Sequence, residues 1–346
     1  MGEVKVGVVG LGWAASGHLP AFAKNPNCVV DALCSSKDLS ADEIRTWTGG
    51  HDATLYHDYE EFLGHPGLDV VDICTPHPVH APQAIAAAEA GKHLMIEKPM
   101  AVNYEDLLAM KAAIEAAGVL STVYFELRFI PHFQLIRSVA EKGLLGDVHF
   151  FEVDYYHGIG PWYGQFEWNV KKEIGGSALI TAGCHALDAI MAFANRPVDE
   201  VYGYSVKSSA EWAQPYEYDT TSTAIIRFED GATAKCTSSI DCRQPYVLNV
   251  HLVGSEGTLW DDRLWSTQIA GLRPGEWMTL PTAQAESGDV LDHPYPPQID
   301  HFIECVQTGE DSFINFAEAF KTHKVMFAIE RALAEGRPVK LAEMDA

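Results

Sequence analysis

Several short stretches of this sequence set glycines, a lysine and histidines at spacings that can do chemistry. The first is Gly10-Leu11-Gly12-Trp13-Ala14-Ala15. By itself G-x-G-x-x-A is a weak pattern, but here it follows an apolar β-branched run at residues 5–9 and opens a helical pattern at 15–24. Gly10 permits a tight turn, Gly12 lets backbone amides approach a pyrophosphate, and Ala15 keeps the helix close to the sheet. Trp13 and Ala14 line the same turn, so the stretch reads as a dinucleotide-binding element. About twenty residues on, where the adenosine ribose is met, the sequence is Ser35-Ser36-Lys37-Asp38. No acid stands at the strand tip, and two hydroxyls with a lysine suit a 2′-phosphate. That favours NADP over NAD; the alternative is a solvated turn with Asp38 reaching back.

Two further stretches end later strands. Thr75-Pro76-His77-Pro78-Val79-His80 follows the run at 70–74, and Glu97-Lys98-Pro99 follows the run at 93–96. In open parallel sheets ligands bind outside the carboxyl ends of strands, so the same crevice is expected to collect both, with Lys98 as cation and proton donor beside a nicotinamide. A fourth stretch, Gly175-Gly176 through Thr181 to Cys184-His185-Ala186-Leu187-Asp188, puts an imidazole and a carboxylate three residues apart on one helix face. Asp188 is there placed to orient or charge His185; the alternative is a buried histidine hydrogen-bonded at the helix start. Tyr155, Tyr156, His157, Trp162, Tyr163 and Trp168 precede it and can pack on the C–H faces of a sugar ring, or serve as core or subunit interface. No metal is expected, because His77, His80 and His185 have no recognised ligand spacing.

The elements that must hold these groups change character along the chain. Up to about residue 124, short apolar strands alternate with helices, including a capping-box start at Ser40–Glu43 and a capped helix from Asn103. That alternation means βαβ units and a doubly wound parallel sheet. A helix at 128–142 follows. Strand patterns at 148–156, 201–207, 222–228, 233–239 and 247–253 then come with turns between them, interrupted by one helix at 184–194. The expected fold class is α/β, an N-terminal Rossmann domain at 1–124 plus a C-terminal α+β domain at 125–346 with a large, mostly antiparallel open sheet. A Pro-, Gly- and acid-rich surface loop is expected at 271–297, and helices at 298–307 and 315–335.

Lys+Arg number 24 against 48 Asp+Glu, a net charge of −24 over 346 residues. Such a surface repels phosphate backbones and anionic head groups, so neither nucleic acid nor membrane is an expected partner. No apolar run is expected to reach the roughly 18 residues that span a bilayer. Seven scattered cysteines without C-x-x-C, and no secretory pattern at the start, read as reduced thiols in a cytoplasmic protein.

The combination of G-x-G-x-x-A, Thr75-Pro76 with His80, Ala87-Ala88-Glu89-Ala90-Gly91-Lys92-His93, E-K-P, the glycine pair with G-x-H-x-x-D, and Gly336-Arg337-Pro338-Val339 resembles the Gfo/Idh/MocA oxidoreductase family over nearly the whole chain. The resemblance implies a Rossmann domain and an open-sheet domain that commonly forms homodimers or homotetramers. It also implies NAD(P)-dependent hydride exchange with a sugar, glycoside or cyclitol. Lys98 takes the E-K-P lysine role on the reacting oxygen, and His185 that of general acid/base. Glu97 and Pro99 shape the turn, and Arg128 matches the arginine after the sixth strand. Together with the residues read above, the expected substrate contacts are Lys98, Arg128, Tyr156, His157, Trp162, Trp168, Thr181 and His185. Thr181 stands where many members carry an acid four residues before the histidine, so the proton transfer falls to His185 and Lys98. Rival readings are a glycosidase that oxidises transiently with bound NAD, a non-catalytic NADP-binding sensor, and biliverdin or dihydrodiol chemistry on a similar fold.

Overall fold

The computed structural model describes residues 2–281 and 293–345, which fall into two compact units. The first takes the chain up to Glu126 and takes it again over residues 293–320; the second has residues 127–281 and 321–345. The sequence boundary at 124/125 differs from this division chiefly in that late return.

In the first unit, β1 (Val4–Val9), β2 (Cys28–Cys34), β3 (Thr54–Tyr56), β4 (Val70–Ile73), β5 (His93–Ile96) and β6 (Ser121–Val123) form a six-stranded parallel sheet in the order β3-β2-β1-β4-β5-β6. The crossovers carry α1 (Trp13–Phe22), α2 (Ala41–Trp47), α3 (Tyr59–Leu63), α4 (His80–Glu89) and α5 (Tyr104–Ala117). All four residues of β4 are buried, as a strand covered on both faces requires. The Ser40–Glu43 capping box forms, and Asn103 caps α5. β3 escapes sequence reading because it is three residues at the sheet edge with no buried position.

Strand order reverses between β1 and β4, which opens a crevice at their carboxyl ends. Register makes the crevice level. Val9 pairs with Ile73 and Ile73 with Ile96, so the turns at Gly10, Cys74 and Glu97 begin side by side.

The second unit begins with α6 (Pro131–Glu141) and β7 (Val148–Tyr156). α7 (Phe166–Asn169), α8 (Lys172–Gly175), a π-helical turn at Leu179–Gly183 and α9 (Cys184–Ala194) follow. Then come β8 (Val198–Val206), β9 (Thr221–Phe228), β10 (Thr233–Ser239), β11 (Val247–Gly254), β12 (Gly257–Trp260), β13 (Arg263–Ser266) and β14 (Met278–Thr279). The nine-stranded sheet, completed by a late strand, pairs antiparallel throughout except where β7 runs parallel to β10. Contrary to the sequence expectation, the helical stretch Lys172–Ala194 is long and apolar enough to cross a bilayer; 83% of its most apolar window is buried, which makes it a core element. The loop expected at 271–297 includes residues 282–292, which lie outside the described residues, and β14 occupies part of what precedes them.

α10 (Tyr295–Thr308) belongs to the first unit. Its Ile299, Phe302 and Ile303 join Val6, Leu19, Phe22 and Val30 in one buried cluster, and Gln298 Nε2 donates to the Val123 carbonyl at 2.8 Å. Each fully buried Ile or Phe contributes about 1.5–3 kcal/mol, so this helix is integral to the Rossmann unit. α11 (Phe316–Glu335) and β15 (Val339–Lys340) end the chain, β15 pairing with β8.

Candidate functional site

In the first unit the Gly-rich turn is shaped by close approach. Gly10 sits at φ +87, and a Cβ there would lie 2.7 Å from Thr75 Cγ2 and 2.8 Å from the Cys74 carbonyl carbon. The β1 and β4 turns therefore touch, and only glycine fits. Gly12 is the opposite case, since a Cβ on it would meet nothing within 4 Å. Gly12 is also the N-cap of α1, with no side-chain cap and no acid in the first turn, whereas Ser40, Asp58 and Asn103 cap α2, α3 and α5 ahead of acidic first turns. α1 thus keeps its N-terminal amides and positive dipole end for an outside anion, which fits a dinucleotide pyrophosphate. Ala15 is buried against the sheet as its position requires. Trp13 meets His293 edge-on at 5.3 Å between ring centroids, a partner 280 residues away in sequence that periodicity could not find.

At the ribose end, the Ser35 hydroxyl accepts from the Lys37 amide at 3.1 Å, and Ser36 and Lys37 are exposed. His57 Nδ1 donates to the Ser35 carbonyl at 2.7 Å, and its Nε2 lies 3.4 Å from Asp38 Oδ1. Sequence reading missed His57 because it arrives from the turn after the edge strand β3.

The β4 and β5 turns are pinned together by buried histidines. His80 is fully buried, with Nε2 2.6 Å from the Thr75 carbonyl and Nδ1 2.7 Å from the Pro99 carbonyl. Burial lowers its pKa, with the two carbonyls pulling the other way. His80 therefore clamps backbone, and does not present a free ring edge to a cofactor. His77 is buried beside it, ring centroids 5.8 Å apart; Thr75 Oγ1 donates to Gln83 Oε1 at 2.6 Å, and Pro76 is exposed. Lys98 is half-buried at the tip of β5 and joined to Pro99 by a cis peptide bond. Its amide donates to Glu97 Oε2 at 3.1 Å. Glu126, beyond β6, is buried, and that burial raises its carboxyl pKa to about 8 against the opposing charge of Lys98.

In the second unit, His185 is buried in the first turn of α9, directly after the π-helical turn, and its ring lies nearly parallel to Tyr155 on β7 at 6.4 Å. Such π turns recur at functional sites, because the extra residue re-aims a side chain. Gly175 has no room for a Cβ, which would lie 2.2 Å from the Asn169 carbonyl oxygen, and Gly176 takes φ +76. Gly183 packs α9 on β10, since a Cβ would lie 2.2 Å from Ser238 Oγ.

Several expected site residues have partners within the protein. The Asp188 carboxylate takes hydrogen bonds from Arg128 and Thr322. Arg128 Nε and Nη2 each donate to its carboxylate at 2.7 Å and Thr322 Oγ1 donates at 2.9 Å, which also commits the Arg128 guanidinium. Thr181 Oγ1 donates to Asn169 Oδ1 at 2.7 Å in a buried pair. Tyr156 alternates to the opposite sheet face from Tyr155 and His185, near Asp154 and Lys235. Tyr155 stands on the His185 side; its hydroxyl is 3.1 Å from His157 Nδ1, and both rings meet Tyr246 edge-on at 5.2 Å. Tyr155 and Tyr246 are thus the aromatic neighbours that strand alternation selects. Trp162 is 66% exposed against Trp212, and Trp168 is half-buried on α7.

Residues 4–125 match the model of an oxidoreductase family with an NAD-binding Rossmann fold, and residues 133–260 match the GFO/IDH/MocA C-terminal domain. The chain is 23% identical to the myo-inositol 2-dehydrogenase of Thermotoga maritima over 350 residues, covering 99% of each chain. It is 28% identical to the levoglucosan dehydrogenase of Pseudarthrobacter phenanthrenivorans over 295 residues, 75% of this chain and 73% of that one. A solved levoglucosan dehydrogenase in complex with NADH and L-sorbose superimposes with a TM-score of 0.86 at 22% identity, covering 99% of this chain and 100% of the other, a likeness of fold.

Proposed function

The chain belongs to the Gfo/Idh/MocA oxidoreductase family, and from that premise we propose that it exchanges a hydride with a secondary alcohol or ketone of a sugar, glycoside or cyclitol. The observation that carries this reading is the uncapped, acid-free start of α1 behind Gly10 and Gly12, level with the Lys98 turn on the same sheet edge. A nicotinamide dinucleotide fits the first unit: α1 amides and Gly12 for the pyrophosphate, Ser35, Ser36 and Lys37 for the adenosine ribose, Lys98 beside the nicotinamide. When bound, it supplies the hydride acceptor or donor.

The protein's own groups handle the proton. Lys98 donates a hydrogen bond to the reacting oxygen and stabilises its negative charge as an alkoxide develops. His185 takes the hydroxyl proton in oxidation and returns it in reduction. Tyr155 and Tyr246, beside His185, supply a flat wall for a sugar ring. The ribose tip favours NADP. Exposed Tyr204 (72%) and Ile225 (48%) project from neighbouring strands β8 and β9, an apolar face that supports homodimer or homotetramer assembly.

The test is a spectrophotometric screen of sugars, glycosides and inositols with both dinucleotides. Absorbance of the reduced nicotinamide should rise or fall with at least one polyol or its ketone. Release of free sugar without net nicotinamide change would favour the glycosidase reading, and binding of neither dinucleotide would end the enzyme reading.

A further inference from the structure

His18, on α1, is fully buried between two carboxylates of the first unit. Nδ1 lies 2.9 Å from Asp72 Oδ2 and Nε2 lies 3.1 Å from Glu97 Oε1. Carboxylates only accept, so both ring nitrogens carry hydrogen and the ring is an imidazolium. Cys74 Sγ is 3.2 Å from Nδ1, Tyr124 covers one ring face at 4.0 Å and Tyr295 of α10 meets it at 4.4 Å. Burial works against charge on this ring, and Cys74 and Asp72 outweigh it, so its pKa is raised well above 6.5. Among the described residues, Lys98 and His80 also act on Glu97, and Glu126 feels the charges of Lys98, Glu97 and His18. Burial likewise opposes ionisation of Glu97, and the His18 hydrogen bond and Lys98 charge overcome it, leaving its pKa lowered.

The second oxygen of Glu97 is what matters for the site. While Oε1 accepts from His18, Oε2 accepts the Lys98 amide at 3.1 Å. We propose that His18 is a positioning residue for Lys98: clamped by Asp72, the imidazolium fixes the Glu97 carboxylate, and Glu97 fixes the backbone from which the lysine reaches its substrate oxygen. The helix that opens on the cofactor turn thereby sets the E-K-P turn directly, through one side chain. A misplacement of about 1 Å costs on the order of 100-fold in turnover, so such a clamp acts on kcat.

This rests on the hydride-transfer reading, and the experiment separates the two. In uniformly 15N-histidine-labelled, cofactor-free protein, His18 should keep the doubly protonated signature at pH values well above the ordinary histidine pKa of 6.5. A neutral ring there overturns the clamp without reference to activity. His18→Gln and Glu97→Gln should each lower kcat by about 10–100-fold, with KM for the polyol and Kd for the dinucleotide changed by less than about threefold. The double variant should lose no more than the worse single one, because both act through one linkage. Losses that multiply, or a His18→Gln enzyme with wild-type kcat, overturn it. A wild-type enzyme inactive on every polyol with either dinucleotide fails the functional reading instead, and the histidine spectrum still decides the clamp.

Discussion

Arg128 holds both oxygens of Asp188, Nε on Oδ2 and Nη2 on Oδ1, each at 2.7 Å. Both side chains are almost wholly buried, and Thr322 Oγ1 donates to the same carboxylate. Removing the guanidinium strands a buried charge, so Arg128→Met should destabilise the protein by about 3–5 kcal/mol in denaturant titration. A loss below about 1 kcal/mol would mean that the pair behaves as an exposed one.

The two glycines of the nucleotide turn should respond in opposite ways. Gly10→Ala puts a Cβ 2.7 Å from Thr75 Cγ2 at φ +87, and should destabilise by about 1–3 kcal/mol. Gly12→Val meets no protein atom within 4 Å, so its melting temperature should stay near wild type. Its dinucleotide Kd should rise about tenfold or more, about 1.4 kcal/mol, since the branched side chain takes the pyrophosphate's place. Calorimetric titration checks both, and a Gly12→Val protein that binds normally would move the pyrophosphate elsewhere.

Cofactor choice is read at the tip of β2. Lys37→Ala should weaken NADP by about 10–100-fold, the worth of one charge-assisted hydrogen bond to phosphate, and leave NAD within about twofold. Equal weakening of the two would remove the phosphate-cradle role from Lys37.

Glu126 gives a pH signature of stability. Burial raises its folded-state pKa from 4.5 to about 8, so the folded protein binds more protons than the unfolded chain between those values. Its contribution is full below pH 4.5 and is lost as pH rises through about 8. Glu126→Gln should flatten the fall in unfolding free energy across that window, and an unchanged slope would show that the carboxyl ionises normally.

Much of this was legible from sequence because local rules sufficed. The strand, glycine turn and helix around Gly10, the Ser40 capping box and the E-K-P turn each follow from a few neighbouring residues. What escaped depends on distant chain. His57 reaches the ribose tip from a three-residue edge strand, and His293 reaches Trp13 from across the second unit's sequence. His18 sat in plain view in the first helix, but its two carboxylates arrive from β4 and β5. The pairing of Asp188 with Arg128 was not legible from the helix face shared by His185 and Asp188, because the guanidinium that offers the carboxylate two aligned donors comes from residue 128. Strand alternation puts Tyr155 beside His185 and its neighbour Tyr156 on the other face, a distinction the run of aromatics from Tyr155 to Trp168 does not carry by itself.

The most direct measurement is steady-state turnover of wild type and Lys98→Met on the best polyol from the screen, with dinucleotide Kd measured alongside. If Lys98 stabilises the reacting oxygen, Lys98→Met loses about 10²–10⁴-fold in kcat while Kd stays within a few-fold. A Lys98→Met enzyme that keeps most of its turnover would contradict that role and leave the E-K-P turn without its chemistry.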